Sequence, residues 1–468
     1  MPNESSVTPK RCSVYFLPVD LRLPLKFGGE TIFRTTCCRV EAVVEDADGR
    51  RAAGWGETPL NAPWVWPSPL SHETREKELM TLCLRIGADF AAFAERGHPM
   101  ELGYMYMRDR LPAVAAATAA GETLPWLAAL ACFSPFDIAV HDAYAKLHGT
   151  FVYKTYDSRW MNHDLSWYFD NDARFADAYP ADFFAPAPAT RLTAWHLVGG
   201  VDPLTRDDLR GDEPDDGHPV LLADWIRTDG LRCVKVKLSG EDADSDYRRL
   251  VAAASIAEPL GVEWLSADFN CTVTDPAFVN AILDRLEKEH PRFHSMLLYV
   301  EQPFPRDLEQ DALDVHSVAS RKPLFMDESA HDWRCVRAGK RLGWNGVALK
   351  TCKTQTGALL SLAWSRANGM ALMVQDLTNP MLAQIPHLLL AAHAGTIMGV
   401  ETNGVQYYPA ASLPEAAVHH GIAGMTHYDL SPFIGHHNIG VAQNFPCFHG
   451  LVVLVRMVSA VNPVISCT

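Results

Sequence analysis

Short apolar segments alternate with amphipathic segments through residues 192–405 of the 468-residue chain. The apolar segments are strand-sized and end at turn residues, whereas the amphipathic segments carry apolar residues at helical spacing. The predicted helices include HPVLLADWIRTDG, which stops at Gly230, and DLEQDALDVHSVAS. Eight strands are predicted in this way: LTAWHLVGG, LRCVKVKL, VEWLSADFN, SMLLYVEQP, KPLFMDES, GVALKT, MALMVQD and TIMGVETN. Alternating strands and helices predict a parallel sheet with right-handed crossovers, and eight such units are the size of a (β/α)8 barrel. The competing fold is an open doubly wound sheet, but no glycine-rich phosphate loop follows the early strands.

The rest of the chain divides into three segments around this predicted barrel. Residues 1–149 predict an α+β domain, with strand-rich segments followed by a helical region whose last helix starts at Ser134-Pro135. Residues 150–191 are rich in aromatic residues, Asp and Pro, so they predict an insertion or linker that packs on the protein. Residues 406–468 are predicted to return a strand, GLVVLVRMV, to the N-terminal domain.

Composition argues against several classes of protein. The formal net charge of −15 disfavours a nucleic-acid partner. The N-terminal residues lack an apolar run of signal-peptide length, and Gly121, Glu122 and Pro125 interrupt the most apolar helical segment. The 11 cysteines are scattered and odd in number, which favours free thiols. We therefore expect a cytoplasmic protein with no membrane partner.

Ionisable side chains stand at the C-terminal ends of the predicted strands, where barrel enzymes place their chemistry. In chain order they are Lys235, Lys237, Asp268, Glu301, Asp327, Lys350 and Asp376. Consecutive strand ends are separated by about one strand–helix unit, so we expect these side chains to converge at one mouth of the barrel.

The three carboxylates on consecutive strands, Asp268, Glu301 and Asp327, suit a hard divalent cation. Mg²⁺ prefers oxygen ligands in an octahedron and leaves positions for water and substrate. A dication and three protonated lysines would outweigh the three carboxylates, so the pocket would be cationic inside an acidic protein. Such a pocket predicts an anionic small-molecule substrate, most simply a carboxylate.

The lysines suggest proton transfer. Lys235 and Lys237 point to the same face of one strand, so each disfavours the protonated form of the other. A lysine acts as a base at neutral pH only when its pKa falls from about 10.4 towards roughly 7–8. Lys350 comes from a strand across the predicted barrel mouth. Two opposed lysines can remove a proton next to a carboxylate and return it to the other face, while a metal ion stabilises the enediolate.

Each motif has a simpler interpretation when it is taken alone. Paired lysines usually mark a solvated strand edge, DFN can form an Asx turn, and DES can cap the next helix. The ordered set on five successive strands favours a site instead. We expect Lys353 to face outward and the pairs His419-His420 and His436-His437 to lie on the surface. Asp376 is equally consistent with a supporting role and with a substrate contact.

The motifs KVK, DFN, VEQP, MDES and GVALKTCKTQTG together resemble the enolase superfamily and, within it, the muconate lactonizing enzyme subgroup. The resemblance implies an α/β fold, in which an α+β capping domain precedes a modified (β/α)8 TIM barrel. It also implies Mg²⁺, with Mn²⁺ as a possible substitute, and a homo-oligomeric assembly. The roles it implies are metal ligation by Asp268, Glu301 and Asp327, acid/base chemistry by Lys237 and Lys350, and modulation of Lys237 by Lys235.

The expected substrate contacts are less specific. Relatives with dipeptide epimerase activity carry Asp-x-Asp near the eighth strand, whereas this chain has Glu401 to Asn403 there. In the superfamily, cap loops select the substrate, which implies roles for Lys26, Phe27 and the Trp64–Trp66 region. The residues predicted to bind substrate are Asn270, Asp376, Glu401 and Lys26.

Three functions remain open at this point. The first is a racemase, epimerase or cycloisomerase that removes the α-proton of a carboxylate through an enediolate. The second is a dehydratase that uses the same site for β-elimination on a hydroxy acid or sugar acid. The third is a barrel that binds an anion without turnover.

Overall fold

The computed structural model describes residues 3–27, 30–116, 122–409, 411, 427–429, 453–458 and 464–467. Its N-terminal domain contains an antiparallel sheet built from three strands: β1 (Thr8–Phe27), β2 (Glu30–Glu45) and β3 (Arg51–Pro59). At the turn between β2 and β3, Asp46 Oδ1 accepts hydrogen bonds from the amides of Asp48 and Arg50 at 3.0 and 2.9 Å. This Asx-type closure stabilises the turn between the two strands.

Five helices complete this domain: α1 (Ala62–Val65), α2 (His72–Ala91), α3 (Pro99–Asp109), α4 (Leu111–Ala116) and α5 (Trp126–Leu147). The prediction that the last helix starts at Ser134-Pro135 is wrong, because α5 begins at Trp126 and continues through Pro135. A proline inside a helix removes one backbone hydrogen bond. Burial of α5 from Leu127 to Ala145 outweighs that loss.

Residues 150–191 fold into short helical turns and one short helix, α6 (Leu165–Tyr168). Six of their aromatic side chains are buried in the same core cluster as the barrel residues: Phe151, Tyr153, Tyr156, Tyr168, Phe169 and Phe175. The ring of Tyr153 stacks on His393 of the barrel with 3.9 Å between centroids. The segment therefore packs on the barrel.

Eight strands pair in parallel in the second domain: β4 (Arg191–Val198), β5 (Cys233–Lys237), β6 (Trp264–Asp268), β7 (Leu297–Glu301), β8 (Leu324–Met326), β9 (Gly346–Leu349), β10 (Ala371–Val374) and β11 (Val400–Glu401). Each pairs with the next along the chain from β4 to β10, and β11 pairs with β4. A single parallel bridge between Gln375 and Glu401 joins β10 to β11 and closes the ring. The predicted fold, a capping α+β domain before a (β/α)8 barrel, is confirmed.

Helices connect and surround these strands: α7 (Leu222–Asp229), α8 (Ala243–Ala257), α9 (Pro276–Glu289), α10 (Pro291–Met296), α11 (His316–Ala319), α12 (Trp333–Leu342), α13 (Gln355–Ala367), α14 (Gln384–Ala394) and α15 (Gly404–Tyr407). As predicted, α7 ends at Gly230, whose φ of 61° is a left-handed conformation that glycine adopts without strain. In the described part of the chain, no helix has both the length and the apolarity needed to span a membrane.

One predicted helix, DLEQDALDVHSVAS, is mostly absent, because only α11 forms within it. The Asp307 carboxylate accepts hydrogen bonds from the amides of Glu309 and Gln310, both at 3.0 Å. Such local bonds offer the backbone an alternative to a helix.

The chain's C-terminal strands complete the sheets. β12 (His427–Asp429) pairs antiparallel with β4. β13 (Val453–Val458) pairs antiparallel with β1 and with β14 (Val464–Cys467), so the N-terminal sheet has the order β14-β13-β1-β2-β3. The domain boundaries given above stay predictions.

The barrel interior is plugged by one layer of buried side chains from five strands: Trp195, Cys233, Tyr299, Phe325 and Met373. Strand side chains alternate between faces, so a residue two positions further along points to the same interior. The next layer towards the C-terminal mouth is therefore set by the sequence, and it consists of the ionisable and polar residues described next.

Candidate active site

The layer above the plug is polar and buried. Lys235 follows Cys233 by two positions, Glu301 follows Tyr299 and Asp327 follows Phe325. These three side chains are at most 3% exposed. Strand register places Lys237 beside Asp268, and Asp268 beside Glu301. The alternation of side chains along each strand thus brings the predicted residues together at one place in the barrel.

Lys235 is the centre of an ion-pair cluster. Its Nζ lies 2.6 Å from Glu301 Oε1, 2.9 Å from Glu401 Oε2 and 3.0 Å from Asp268 Oδ2. Burial favours a lower pKa for Lys235, but these three carboxylates outweigh it and hold the pKa well above the usual value. Lys235 therefore carries a stable positive charge in this arrangement, and Glu401 is part of the charge cluster.

Lys237 is held by two neighbours. Its Nζ lies 2.7 Å from Asp268 Oδ2 and donates to Asn270 Oδ1 at 2.6 Å. Asn270 has φ of 47°, a left-handed conformation that asparagine tolerates, and its Nδ2 donates to Glu328 Oε1 at 3.0 Å. Asn270, predicted to bind substrate, thus directs the Lys237 ammonium group.

Lys350 and Lys353 bracket one carboxylate. Lys350 Nζ lies 3.2 Å from Asp327 Oδ2, and Lys353 Nζ lies 3.2 Å from Asp327 Oδ1. The prediction that Lys353 faces outward is wrong, since the side chain is 4% exposed. The residues after β9 form a 3₁₀ turn at Thr351–Lys353, in which positions three apart overlie each other. Both ammonium groups also lie 5.5 Å from the ring centroid of Trp64, which brings the cap domain over the site.

Asp376 lies behind this cluster. Its Oδ2 accepts hydrogen bonds from the amides of Asn379 and Asn403 at 3.1 and 2.9 Å, while its backbone oxygen accepts from Lys350 Nζ at 2.8 Å. Burial and the nearby Glu401 carboxylate raise the pKa of Asp376 to about 6. The side chain therefore organises the loops after β10 and β11, which favours the supporting role.

Two glutamines belong to the site although the sequence did not single them out. Gln375 Nε2 donates to Glu301 Oε2 at 2.6 Å, and Gln302 Oε1 accepts from the Asp327 amide at 2.7 Å and from Ser329 Oγ at 2.8 Å. The period-two rule identifies Gln375 in advance, since it follows the plug residue Met373 by two positions.

The cap residues contribute unequally. Lys26 lies apart from the ion-pair cluster, on the wall of a cavity of about 520 Å³ that Lys237 and Asn270 also line. Trp64 lies near two site lysines, and Trp66 is buried at 1% exposure. The side chain of Phe27 and both histidine pairs lie outside the described residues.

The direct contacts balance in charge. Four carboxylates (Asp268, Glu301, Asp327 and Glu401) contact four ammonium groups (Lys235, Lys237, Lys350 and Lys353). Burial opposes ionisation of Asp268 and Asp327, but the adjacent lysines outweigh it and lower both pKa values. Burial and the Asp268 carboxylate raise the pKa of Glu301 to about 8. With every one of these groups ionised the cluster is formally neutral, and a dication would add two positive charges.

The donor set fits a hard dication in its chemistry. Its three strand-end carboxylates offer the oxygen atoms that Mg²⁺ prefers. Asp268 Oδ2 is buried and accepts no hydrogen bond of good geometry, although two ammonium nitrogens lie within 3.0 Å. In the described residues, no three His, Cys, Asp or Glu side chains converge as a metal centre. Lysine ammonium groups stand between the carboxylates.

Comparison with known proteins supports the fold. No protein-family model matches the chain, and no curated protein matches it in sequence. A mandelate racemase/muconate lactonizing protein from Herpetosiphon aurantiacus is 18% identical, with a TM-score of 0.59 over 93% of this chain and 99% of that chain. The L-Ala-D/L-Glu epimerase from Bacillus subtilis is 16% identical, with a TM-score of 0.63 over 93% of this chain and 98% of that chain.

An L-talarate/galactarate dehydratase liganded with Mg and L-glucarate is 15% identical, with a TM-score of 0.56 over 86% of this chain and 84% of that chain. These identities are low, so the likeness concerns the fold. The chain therefore shares the fold of these mandelate racemase/muconate lactonizing and epimerase structures.

Proposed function

We propose that the protein is a Mg²⁺-dependent enzyme that removes the α-proton of a carboxylate substrate, giving racemisation, epimerisation or cycloisomerisation. One observation carries the proposal. Lys237 on β5 and Lys350 on β9 stand four strands apart in a ring of eight, with acidic residues on the three strands between them. Both lysines are buried, at 8% and 4% side-chain exposure.

Opposed lysines suit proton transfer on two faces of one carbon. The lysine that is neutral takes the α-proton, and the other lysine donates a proton to the opposite face. Burial favours a lower pKa for Lys350, but the Asp327 carboxylate outweighs it and raises the pKa above the usual value. Lys350 is therefore the proton donor in this arrangement, while Asn270 and Asp268 direct Lys237 towards the substrate.

The metal site is proposed at Asp268, Glu301 and Asp327. A dication held there would supply positive charge beside the reacting carboxylate, and Mn²⁺ has the same preference for oxygen ligands. If Asp327 bound the metal instead of Lys350, its carboxylate would raise the pKa of Lys350 less.

The same lysines suit a second reaction, dehydration of a hydroxy acid. Lys350, whose pKa is raised, is a proton source for a departing hydroxyl group. The fold likeness to a sugar-acid dehydratase is consistent with this alternative. A keto-acid product would distinguish dehydration from racemisation.

The decisive experiment is α-proton exchange. The purified protein is incubated in D₂O with Mg²⁺ and a panel of chiral carboxylates and hydroxy acids, and deuterium incorporation is followed by NMR. We expect exchange that EDTA abolishes. Loss of either lysine, in Lys237→Ala or Lys350→Ala, should reduce exchange at least about a hundredfold, since general acid–base groups contribute roughly 10²–10⁴ each.

The matched control is Lys288→Met, which removes an exposed lysine on α9. Exchange that persists unchanged in both active-site variants would contradict the proposal. So would a wild-type protein that exchanges no member of the panel but binds carboxylates equally well with and without Mg²⁺, as a non-catalytic anion-binding barrel would.

A further inference from the structure

A cavity of about 520 Å³ opens beside the proposed base Lys237. Its walls come from β1 of the cap domain, the loop after β4, and the loop and helix α8 after β5. A volume of several hundred Å³ is typical of small-molecule sites. The cavity therefore extends the site sideways from the reacting position, between the cap and the barrel.

Unpaired cations line this cavity. Lys26 is half-buried and Arg248 is exposed, and neither side chain makes a hydrogen bond or an ion pair with any described residue. Arg249 donates from Nη2 to the Gly199 carbonyl, whereas its Nε is buried and has no partner. Three basic groups thus face one space without an acidic partner at hydrogen-bond distance.

The acidic groups of the same wall do not neutralise them. Asp246 is committed to the amides of Ser239 and Gly240 at 2.7 and 2.8 Å, and to Ser239 Oγ at 3.0 Å. Glu241 is exposed. Besides Lys237, which is paired with Asp268, three cations and two carboxylates line the cavity, in a chain whose formal net charge is −15. A cationic cavity in an acidic protein favours anionic ligands.

We infer that the substrate carries a second anionic group, which lies in this cavity against Lys26 and Arg248 while the reacting carboxylate lies at the lysine cluster. The substrate class is thus a dicarboxylate or an acid with a distal carboxylate. This inference rests on the proposed function, because that function places the reacting carbon at Lys237.

Binding of matched acid pairs tests the inference without requiring turnover. Succinate, glutarate and adipate are compared with their monoamides, which have nearly the same shape and one charge fewer, by calorimetry in the presence of Mg²⁺. We expect at least one diacid to bind about tenfold more tightly than its monoamide, since charge-assisted hydrogen bonds exceed neutral ones in strength.

The variants Lys26→Met and Arg248→Met should each reduce that diacid preference several-fold, whereas Lys288→Met should preserve it. Equal affinity for every diacid and its monoamide would overturn the inference, even if α-proton exchange is observed. Conversely, a diacid preference that depends on Lys26 and Arg248, found without any α-proton exchange, would overturn the proposed function and leave the cavity as an anion site.

Discussion

Lys353 is a buried lysine that pairs with a buried carboxylate. Its Nζ lies against Asp327 Oδ1 and donates to the backbone oxygen of the same residue. Lys350 holds the other carboxylate oxygen of Asp327 at 3.2 Å. The two lysines therefore fix the orientation of this carboxylate, and loss of one leaves an oxygen buried without a partner.

Replacement of Lys353 by methionine should destabilise the protein. Lys353→Met keeps the length of the side chain but removes the ion pair, and we expect a loss of about 3 kcal/mol in the free energy of unfolding. Urea denaturation followed by tryptophan fluorescence measures this loss. The exposed-lysine variant Lys288→Met should change it by less than about 0.5 kcal/mol. A stability equal to wild type would show that the Lys353 ion pair contributes nothing.

A buried histidine should make folding sensitive to acid. Burial lowers the pKa of His196 to about 3, whereas an unfolded histidine has a pKa of about 6.5. As the pH falls from about 6.5 towards 3, the unfolded chain binds a proton that the folded protein does not, so stability falls.

We therefore expect His196→Leu to weaken this dependence. Between about pH 7 and pH 5 its free energy of unfolding should fall about 2 kcal/mol less than that of wild type. Urea titrations of both proteins at the two pH values measure the difference. An identical change in both proteins would contradict the buried, neutral state of His196.

Sequence reasoning found the site residues better than it found their partners. Lys235, Asp268 and Glu301 are identifiable because strand ends and period-two alternation are local properties. The contact of Lys235 with Glu401 depends on ring closure, which brings together strands that are far apart in the sequence. Lys353 was misjudged because a 3₁₀ turn after β9 reverses the expected direction of its side chain.

At the scale of elements, α5 packs unusually closely on β3. A Cβ atom on Gly54 would lie 2.1 Å from the Ala143 amide, and one on Gly56 would lie 2.1 Å from the Pro135 carbonyl. In both cases the added Cβ would clash with backbone atoms of α5, which cannot rotate away as a side chain can. These glycines thus allow the cap helix to lie directly on the sheet.

Gly56→Ala should push the helix from the strand. We expect a loss of about 2–3 kcal/mol in the free energy of unfolding, because overpacking a tight contact forces backbone shifts. Gly369→Ala is the control without a clash: it has open space around the Cβ position, and its φ of 68° adds a left-handed backbone cost that Gly56 does not have. A loss no greater than that of the control, measured by urea denaturation, would contradict close packing.

Helices and strands can be predicted from the sequence where the spacing of apolar residues agrees with the residues that end each element. The eight barrel strands and α7 follow such patterns. The helix expected across DLEQDALDVHSVAS failed because Asp307 bonds its own loop, and α5 passed Pro135 because tertiary burial overrides a local breaker. Neither the hydrogen bonds of Asp307 nor the burial of α5 can be inferred from the spacing of apolar residues.

At the scale of the whole molecule, a buried chain of hydrogen bonds joins three parts of the protein. Gln355 of α13 donates to the Tyr156 hydroxyl at 2.7 Å, and Tyr156 lies 2.9 Å from His141 Nδ1. His141 Nε2 lies 3.1 Å from the Thr356 hydroxyl, which donates to Asp137 at 2.7 Å. Barrel, insertion and cap are thereby linked, with one donor and one acceptor at each step.

Thr356→Val should weaken this junction. Valine has nearly the same shape but neither donates to Asp137 nor accepts from His141, so two buried atoms, Asp137 Oδ1 and His141 Nε2, lose the hydrogen bond to this hydroxyl. We expect a loss of about 2–3 kcal/mol in the free energy of unfolding, measured by urea denaturation. Thr81→Val is the control, since that hydroxyl bonds only to its own helix at Lys77. Equal stabilities of the two variants would show that the junction is not held by this network.

One residue contributes both to the strand contact that closes the barrel and to the charge balance of the site. Glu401 supplies the lone bridge to Gln375 and also one of the anions around Lys235. A ligand that draws Lys235 away from Glu401 would loosen the ring at its shortest strand, β11. Faster amide hydrogen exchange between β10 and β11 would then show that a ligand is bound at the C-terminal end of the barrel. The backbone of the protein would itself report ligand binding.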